Sequence, residues 1–205
     1  MQSHTTIHVV DDDDAVRDSL EIMLSAHGFA VKAYKSGEDF LAALNAHMEG
    51  CVVLDVSMPG VSGFEVQQRL EGSGLPVIIV TGHGDVPSAV KAMKAGAVDF
   101  VEKPFADEVI LEAIGRALAE RDAAKRSQHL VSEVNARLER LTPREHDVFE
   151  QLVLGHPNKI IAHQLSISPR TVEIHRARVM EKMEAHNLSE LVRMALAAEG
   201  AGERE

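Results

Sequence analysis

The chain lacks the residues from which disulfides and cysteine-based metal sites are built. Cys51 is the only cysteine among 205 residues, so neither an intramolecular disulfide nor a zinc cluster of cysteines can form. The 11 histidines show no HExxH motif and no other paired ligand spacing, which argues against a transition-metal site. Because Cys51 opens the apolar run Cys51–Leu54, we expect it to be buried as a small hydrophobic residue.

Targeting and membrane-spanning segments are lacking too. No run approaches the roughly 18 consecutive apolar residues of a membrane helix. Met1–Ile7 has neither the basic region nor the long apolar run of a secretion signal. Hydrophobic residues at 45% and charged residues at 26% match ordinary folded proteins. We therefore expect a soluble, cytoplasmic protein with no membrane partner.

Basic residues are in the minority, with 21 Lys and Arg against 32 Asp and Glu and a net charge of −11. Over the whole chain, this acidity argues against nucleic-acid binding through bulk charge. The charge is unevenly placed, however. Residues 1–122 contain 9 basic and 20 acidic residues, whereas residues 123–205 contain 12 of each. This asymmetry predicts two domains with different partners.

The first 122 residues alternate between the periodicities of strand and helix. Short apolar runs such as Ile7–Val10, Cys51–Leu54 and Val77–Val80 predict buried strands. Amphipathic stretches follow each of them and predict helices. Five such repeats imply a doubly wound α/β domain, with a five-stranded parallel sheet covered by helices on both sides.

Charged and hydroxyl side chains come directly after four of the predicted strands. Asp11 and Asp12 follow the first strand, Asp55 the third, Thr81 the fourth and Lys103 the fifth. Ligands bind beyond the carboxyl ends of parallel strands, so these groups are expected to meet at one edge. Clustered carboxylates there predict a hard divalent cation, with Mg²⁺ favoured. The added lysine and hydroxyl suit a phosphoryl group and indicate Asp55 as a nucleophile forming an aspartyl-phosphate.

Three polar residues near these strand ends are interpreted as structural. Asp13 and Asp14 are surplus acids that we expect to be solvated, with Asp14 a candidate helix cap. His83 lies between two glycines and is interpreted as part of an exposed loop.

Residues 116–142 contain neither glycine nor proline and are rich in helix formers. Leu130, Val134, Leu138 and Leu141 recur on one face of the predicted helix. We therefore predict a helical linker over residues 123–137 that extends the last helix of the first domain. Pairing of this helix in a short coiled coil is left open.

Residues 138–205 are predicted to form four helices. Thr142 and Glu145 have the spacing of a capping box at the start of the first. A short helix from Asn158 follows, then a tight turn and a third helix that begins at Pro169. Two short helices, a tight turn and a mostly polar third helix are typical of a helix-turn-helix, whose later helix enters the major groove.

The third helix of this domain has one apolar and one polar face. Val172, His175, Val179 and Met183 are predicted to be buried, and Met180 to lie on the opposite face. Residues 158–182 contain five basic and two acidic residues, a local positive surplus. An ordinary solvated helix face remains an alternative to DNA binding. The candidate contacts are Lys159 and Arg170 with phosphates, Arg176 with guanine, Glu173 with cytosine, and Ile174 or Ala177 with a thymine methyl group.

Four motifs of the first domain follow one another in a known order. They are Val9–Asp12, Leu54–Gly60, Val80–Gly82 and Phe100–Phe105. In residues and spacing they resemble the receiver domain of two-component response regulators. Two further stretches, Thr81–Pro87 and Lys94–Phe100, resemble the FixJ-type branch of that family more closely still.

The receiver resemblance implies a role for each strand-end residue. A sensor histidine kinase would phosphorylate Asp55, with Thr81 and Lys103 as its catalytic partners. Thr81 and Phe100 would form the switch pair. Ser57 is smaller than the basic residue often found two places after the phosphorylated acid, which leaves the phosphoryl lifetime open. The implied ligands of Mg²⁺ or Mn²⁺ are Asp11, Asp12, Asp55 and the backbone carbonyl of Ser57.

The second domain resembles the LuxR-type DNA-binding domain in Leu141–Glu145, Asn158–Ala162, Ile167–Val172 and Glu173–Arg176. The resemblance implies double-stranded DNA and RNA polymerase as partners, and dimerisation through the last helix. The implied DNA-binding residues are Lys159, Arg170, Thr171, Glu173, Ile174, Arg176, Ala177 and Arg178.

Together the two resemblances imply a FixJ/NarL-type regulator with a receiver at 1–122, a helical linker at 123–137 and a four-helix helix-turn-helix domain at 138–205. Phosphorylation would drive homodimerisation and promote DNA binding and transcription control, expected to be activation. Apart from its own phosphoryl uptake and loss, no catalysis is expected.

Two other classes of function remain as alternatives, a phosphatase and a signalling adaptor. A phosphatase could use Asp55 as a transient nucleophile, but such hydrolases need a second acid two residues later, where Ser57 stands. A signalling adaptor would bind protein instead of DNA, which the polar face of the third helix opposes.

Overall fold

The computed structural model describes residues 5–82 and 86–202, with the backbone alone for residues 199–202. The chain divides into two compact units, Met1–Ala123 and Ala124–Glu205. The elements of the first unit are β1 (Thr6–Val10), α1 (Asp14–Ala26), β2 (Ala30–Tyr34), α2 (Gly37–Ala43), β3 (Cys51–Asp55), α3 (Gly63–Arg69), β4 (Val77–Thr81), α4 (Val86–Lys94), β5 (Asp99–Glu102) and α5 (Asp107–Leu138), which continues into the second unit.

The first unit is a parallel sheet with helices on both faces. Its strand order is β2-β1-β3-β4-β5. Strands β3 and β4 are buried along their whole length, which explains why their sequences are continuous apolar runs. Helices α1 and α5 cover one face through residues such as Leu24 and Ile114. Helices α2, α3 and α4 cover the other, through residues such as Phe40 and Val66. The predicted doubly wound fold is confirmed.

Helix α1 begins one residue earlier than its predicted cap implies. The Asp13 carboxylate accepts a hydrogen bond from the backbone N–H of Ala15 at 2.9 Å, and Asp14 is the first helical residue. Asp13 has the extended backbone of a helix cap, which a helical residue cannot adopt. The expectation that Asp14 caps the helix is therefore wrong by one residue.

Helix α5 is 32 residues long and contains the whole predicted linker, 123–137. Its first half buries Ala113 and Ile114 in the core of the first unit. Val134 belongs to the core of the second unit, whereas Leu130 is exposed. None of the helices that the structure describes, α5 included, is long and apolar enough to cross a membrane.

In the described part of the second unit, α5 is followed by α6 (Pro143–Val153), α7 (Asn158–Gln164), α8 (Pro169–Lys182) and α9 (Leu188–Gly202), which pack around one apolar core. The predicted capping box at the start of α6 is confirmed. The Thr142 hydroxyl accepts the Glu145 backbone N–H, and the Glu145 carboxylate accepts the Thr142 backbone N–H at 2.8 Å. Ser168 caps α8 in the same position relative to its helix.

Helices α7 and α8 form the helix-turn-helix. Ser166, in the turn between them, has a positive φ of 55°, which lets the chain reverse within a few residues. Val172 and Val179 are buried, as predicted, but His175 is only half-buried. Met180, predicted to lie on the opposite face, is half-buried against the core, so the apolar stripe of α8 is wider than its sequence suggested.

Candidate functional site

The carboxyl edge of the sheet holds two carboxylates and one ammonium in direct contact. Nζ of Lys103 lies 2.5 Å from Oδ2 of Asp11 and 2.7 Å from Oδ1 of Asp55. Asp11 and Asp55 are buried, at 1% and 3% exposure. The meeting of these three side chains at one edge, expected from their places at strand ends, is what the structure shows.

Strand order explains why these residues meet. Strands β1 and β3 are neighbours, with Val10 paired to Leu54. The acids at their carboxyl ends, Asp11 and Asp55, therefore lie side by side. Lys103 follows β5, and its backbone N–H donates to the carbonyl of Thr81 at 2.8 Å, which fixes it beside the end of β4. Thr81 is buried there, at 1% exposure.

Burial and charge act against each other at this edge. Desolvation raises the pKa of Asp11 above its ordinary value, and the hydrogen bond from Lys103 limits the rise. Burial alone would lower the pKa of Lys103, but its hydrogen bonds to Asp11 and Asp55 raise it instead. The cluster is therefore one cation held by two carboxylates.

Three further residues contact the two acids, and two of them, Arg17 and Gly63, could not be foreseen from the sequence. The Arg17 guanidinium donates to the backbone carbonyl of Asp11 at 2.6 Å and also bonds Asp14. Gly63 lies so close to β3 that a Cβ there would stand 2.1 Å from the carbonyl oxygen of Asp55. The backbone N–H of Ser57 donates to Oδ2 of Asp55 at 2.7 Å, which orients the carboxylate.

The donor set at this edge fits a hard divalent cation. Carboxylate oxygens are the ligands that Mg²⁺ takes, and two buried carboxylates face a single ammonium, leaving local negative charge. Asp12 is exposed, and within residues 5–82 and 86–202 no three acidic, histidine or cysteine side chains are grouped closely enough to hold a metal. The expected meeting of Asp12 with Asp11 and Asp55 is thus not seen, because Asp12, the residue after the buried Asp11, is exposed to solvent.

The predicted switch pair lies on neighbouring strands. Phe100, in β5, is partly buried against the apolar cluster that contains Phe40 and Ala92. Thr81 ends β4 and is buried. His83, interpreted as a loop residue, lies outside the described residues.

The predicted DNA-binding residues are carried by α7 and α8. Lys159, Arg170, Glu173, Ile174, Ala177 and Arg178 are all exposed, whereas Thr171 and Arg176 are half-buried. Nη1 of Arg176 donates to Oδ1 of Asn158 at 3.2 Å, which turns this guanidinium toward the start of α7. The Thr171 hydroxyl lies 2.8 Å from that of Ser168, the cap of α8.

A partly buried ion pair joins the start of α6 to the end of α8. Nζ of Lys182, at the end of α8, lies 2.6 Å from Oε2 of Glu145 and donates to the carbonyl of Arg140 at 3.0 Å. Hydrogen bonds from Lys182 and from the Thr142 backbone lower the pKa of Glu145 to about 2. The capping role of Glu145 is predictable from the sequence, whereas its pairing with Lys182 is not.

Known proteins match the chain in both units. Residues 7–115 match the family described as response regulator receiver domain, and residues 139–195 match bacterial regulatory proteins of the luxR family. The transcriptional regulatory protein FixJ of Rhizobium meliloti (strain 1021) is 53% identical over 194 residues, covering 94% of this chain and 95% of that protein. The chain belongs to the FixJ family of response regulators. It thus has a receiver and a LuxR-type DNA-binding domain, and it is a transcriptional regulator.

Solved structures of response regulators share this fold over nearly the whole chain. The response regulator StyR matches with a TM-score of 0.82 and 36% identity, covering 94% of this chain and 98% of that one. Full-length FixJ from B. japonicum matches with a TM-score of 0.60 and 47% identity, covering 96% and 98%. A cognate kinase and DNA are the partners that such a two-domain response regulator implies.

Proposed function

We propose that a sensor histidine kinase phosphorylates Asp55 and that phosphorylation drives homodimerisation and sequence-specific DNA binding by this response regulator. The contact of Lys103 with both Asp11 and Asp55 carries the proposal, since it places a cation where phosphoryl oxygens must be neutralised. The proposal also includes RNA polymerase as a partner at the regulated promoter. It places the protein in the cytoplasm, where the DNA is.

In the proposed reaction a carboxylate oxygen of Asp55 attacks the phosphorus of a phosphohistidine on the kinase. A P–O bond forms as the P–N bond breaks, and the imidazole leaves with that electron pair and takes a proton from solvent. Water later attacks the same phosphorus, the P–O bond to Asp55 breaks, and phosphate and the free carboxylate are released with loss of a proton.

The chain's own residues stabilise the added group. Lys103 neutralises one phosphoryl oxygen, and the Thr81 hydroxyl donates to another. A bound Mg²⁺, held by Asp11, Asp12, Asp55 and the Ser57 carbonyl, would supply further positive charge to the transferring phosphoryl group.

The surface made by residues 87–96 and 107–118 is the proposed dimer contact. Val90, Met93 and Val109 are exposed there, although large apolar side chains are normally buried. We propose that Thr81 moves toward the phosphate and that Phe100 turns into the space behind it, which repacks this surface. A typical coupling of roughly 1–3 kcal/mol would shift the dimerisation equilibrium about 5–150-fold.

Light scattering of the full chain after size-exclusion chromatography tests this proposal. With acetyl phosphate and Mg²⁺ we expect conversion from monomer to dimer and, in footprinting on genomic DNA, new protected sites. A protein that is phosphorylated on Asp55 but stays monomeric would contradict the dimerisation step. Phosphorylated dimers that protect no DNA would instead support the adaptor alternative.

Replacing Arg176 with alanine is expected to weaken binding to a site selected from random DNA by roughly 1–3 kcal/mol and to relax the preference at one base pair. Asn158 engages one nitrogen of the guanidinium and leaves others for guanine. Fluorescence anisotropy on the selected duplex and its single-base variants measures both effects. Arg193→Ala, which removes an exposed guanidinium from α9, is the matched control and should leave both measurements unchanged. Equal weakening of Arg176→Ala on random DNA would identify a phosphate contact instead.

A further inference from the structure

We infer that Glu38, in the first turn of α2, positions the loop that follows Asp55 and thereby sets the rate of phosphorylation. This inference rests on the proposed function. It concerns residues 56–62, which we call the acceptor loop, because they connect Asp55 to α3. Glu38 contacts this loop and none of the reacting atoms, so its role is one of positioning.

The acceptor loop is attached to Glu38 by a short hydrogen bond. The backbone N–H of Val61 donates to Oε1 of Glu38 at 2.7 Å, across 23 residues of sequence. Glu38 is in the first turn of α2, and Ser36 caps that helix. A carboxylate in this place is favoured by the helix dipole and is fixed relative to α2.

The packing around this hydrogen bond is close. Gly60, next to Val61, has a φ of +76°, and a Cβ there would stand 2.2 Å from Oε1 of Glu38. A Cβ on Gly37 would stand 2.8 Å from the carbonyl oxygen of Val61. Glycines at both positions let α2 and the acceptor loop approach each other closely. A loop exposed to solvent on this side would not require glycine at either position.

The other end of the acceptor loop is tied to Asp55 itself. The Ser57 backbone N–H donates to Oδ2 of Asp55 at 2.7 Å, and the Gly63 backbone N–H donates to the carbonyl of Val56 at 3.2 Å. The loop thus transmits the position of Val61 to the Asp55 carboxylate and to the Ser57 carbonyl. Without Glu38, we expect the loop to sample conformations in which Asp55 is misaligned for in-line attack.

Hydrogen bonding keeps Glu38 ionised. Its own backbone N–H, then that of Val61, lower its pKa below the ordinary value. The contact is therefore a charge-assisted hydrogen bond at neutral pH, stronger than one to a neutral acceptor. An amide side chain at the same position keeps an acceptor oxygen and loses only the charge.

The test compares Glu38→Ala and Glu38→Gln in the full chain. With acetyl phosphate and Mg²⁺, we expect Glu38→Ala to be phosphorylated about three- to tenfold more slowly, the range expected for loss of one hydrogen bond. Glu38→Gln should recover most of that rate. Asp39→Ala is the matched control, because it removes an equal charge from the same turn and Asp39 makes no hydrogen bond to the acceptor loop among those the structure describes.

Amide hydrogen exchange of the metal-free protein supplies a readout independent of phosphorylation. We expect faster exchange of the Val61 amide in Glu38→Ala, with unchanged exchange in β3 and β4. If the Val61 amide exchanges at the same rate in Glu38→Ala as in the unaltered protein, Glu38 does not hold the acceptor loop.

Failure of this inference is distinct from failure of the proposed function. If Glu38→Ala is phosphorylated as fast as the unaltered protein, or if Glu38→Gln is as slow as Glu38→Ala, Glu38 does not position the loop through its acceptor oxygen. If the unaltered protein is not phosphorylated on Asp55 at all, the proposed function fails and this inference fails with it.

Discussion

Replacing Asp55 with asparagine is expected to abolish labelling of the protein by radioactive acetyl phosphate, and with it the conversion from monomer to dimer. The amide oxygen of asparagine is too weak a nucleophile to attack phosphorus and displace acetate from acetyl phosphate. The loss of labelling should therefore be complete and not partial. Labelling by autoradiography and molar mass by light scattering measure the two effects on the same samples.

The variant should remain folded, which makes the loss interpretable. An asparagine side chain still accepts the hydrogen bond that the Ser57 backbone donates to Asp55. Lys103 retains its contact with Asp11, and one buried negative charge is removed. Circular dichroism and the exchange rates of amides in β3 should therefore match those of the unaltered protein.

Asp18→Asn is the matched control, since it makes the same chemical change at an exposed position on α1. It should be labelled and should dimerise like the unaltered protein. Undiminished labelling of Asp55→Asn would show that the nucleophile is another group, and digestion with peptide mapping would locate it. A phosphatase would differ again, because it would release phosphate continuously from a phosphoester substrate.

The carboxylate–ammonium cluster at the carboxyl edge of the sheet could be predicted because it depends on a short-range property of the sequence. Each predicted strand ends at an identifiable residue, and parallel strands bring their carboxyl ends to one edge. Asp11, Asp55 and Lys103 therefore meet even though they come from three different parts of the chain. Asp12 does not join them, because the residue after the buried Asp11 points outward into solvent.

The supporting contacts could not be predicted, since they depend on how helices pack. Arg17 reaches the carbonyl of Asp11 because α1 lies over that end of β1, and Glu38 reaches Val61 because α2 lies beside the acceptor loop. Helical periodicity shows which face is apolar but not which loop lies beside the polar end. The prediction that Met180 lies on the polar face of α8 was wrong for a related reason, because the apolar face of α8 is wider than the sequence pattern indicates.

Replacing Lys182 with methionine is expected to destabilise the DNA-binding domain by about 2–3 kcal/mol near neutral pH. Glu145 is 2% exposed, so without Lys182 its carboxylate stays ionised in a buried position with only part of its hydrogen bonding. Removing one partner of a fully buried pair costs about 3–5 kcal/mol. We expect less here because the Lys182 side chain is 30% exposed and water can reach the pair.

The destabilisation should depend on pH in a defined direction. The pKa of Glu145 is lowered from 4.5 to about 2 in the folded protein, so its ionised form contributes stability that is present above about pH 4.5 and is lost as the pH falls toward 2. Lys182 is the largest cause of that shift. The difference between Lys182→Met and the unaltered protein should therefore be greatest near neutral pH and shrink as the pH falls below 4.5.

Native-state hydrogen exchange of the full chain, measured on peptides from α6 and α8, separates this effect from the stability of the receiver. We expect faster exchange in both helices of Lys182→Met and no change in β1 to β5.

Because the pair ties the start of α6 to the end of α8, affinity for a selected DNA site should fall as α8 loses its support. Lys159→Met is the matched control, since Lys159 is exposed on α7, and it should weaken DNA binding without changing exchange. If Lys182→Met exchanges like the unaltered protein, the pair contributes nothing to the position of α8, and DNA recognition must rest on the apolar core alone.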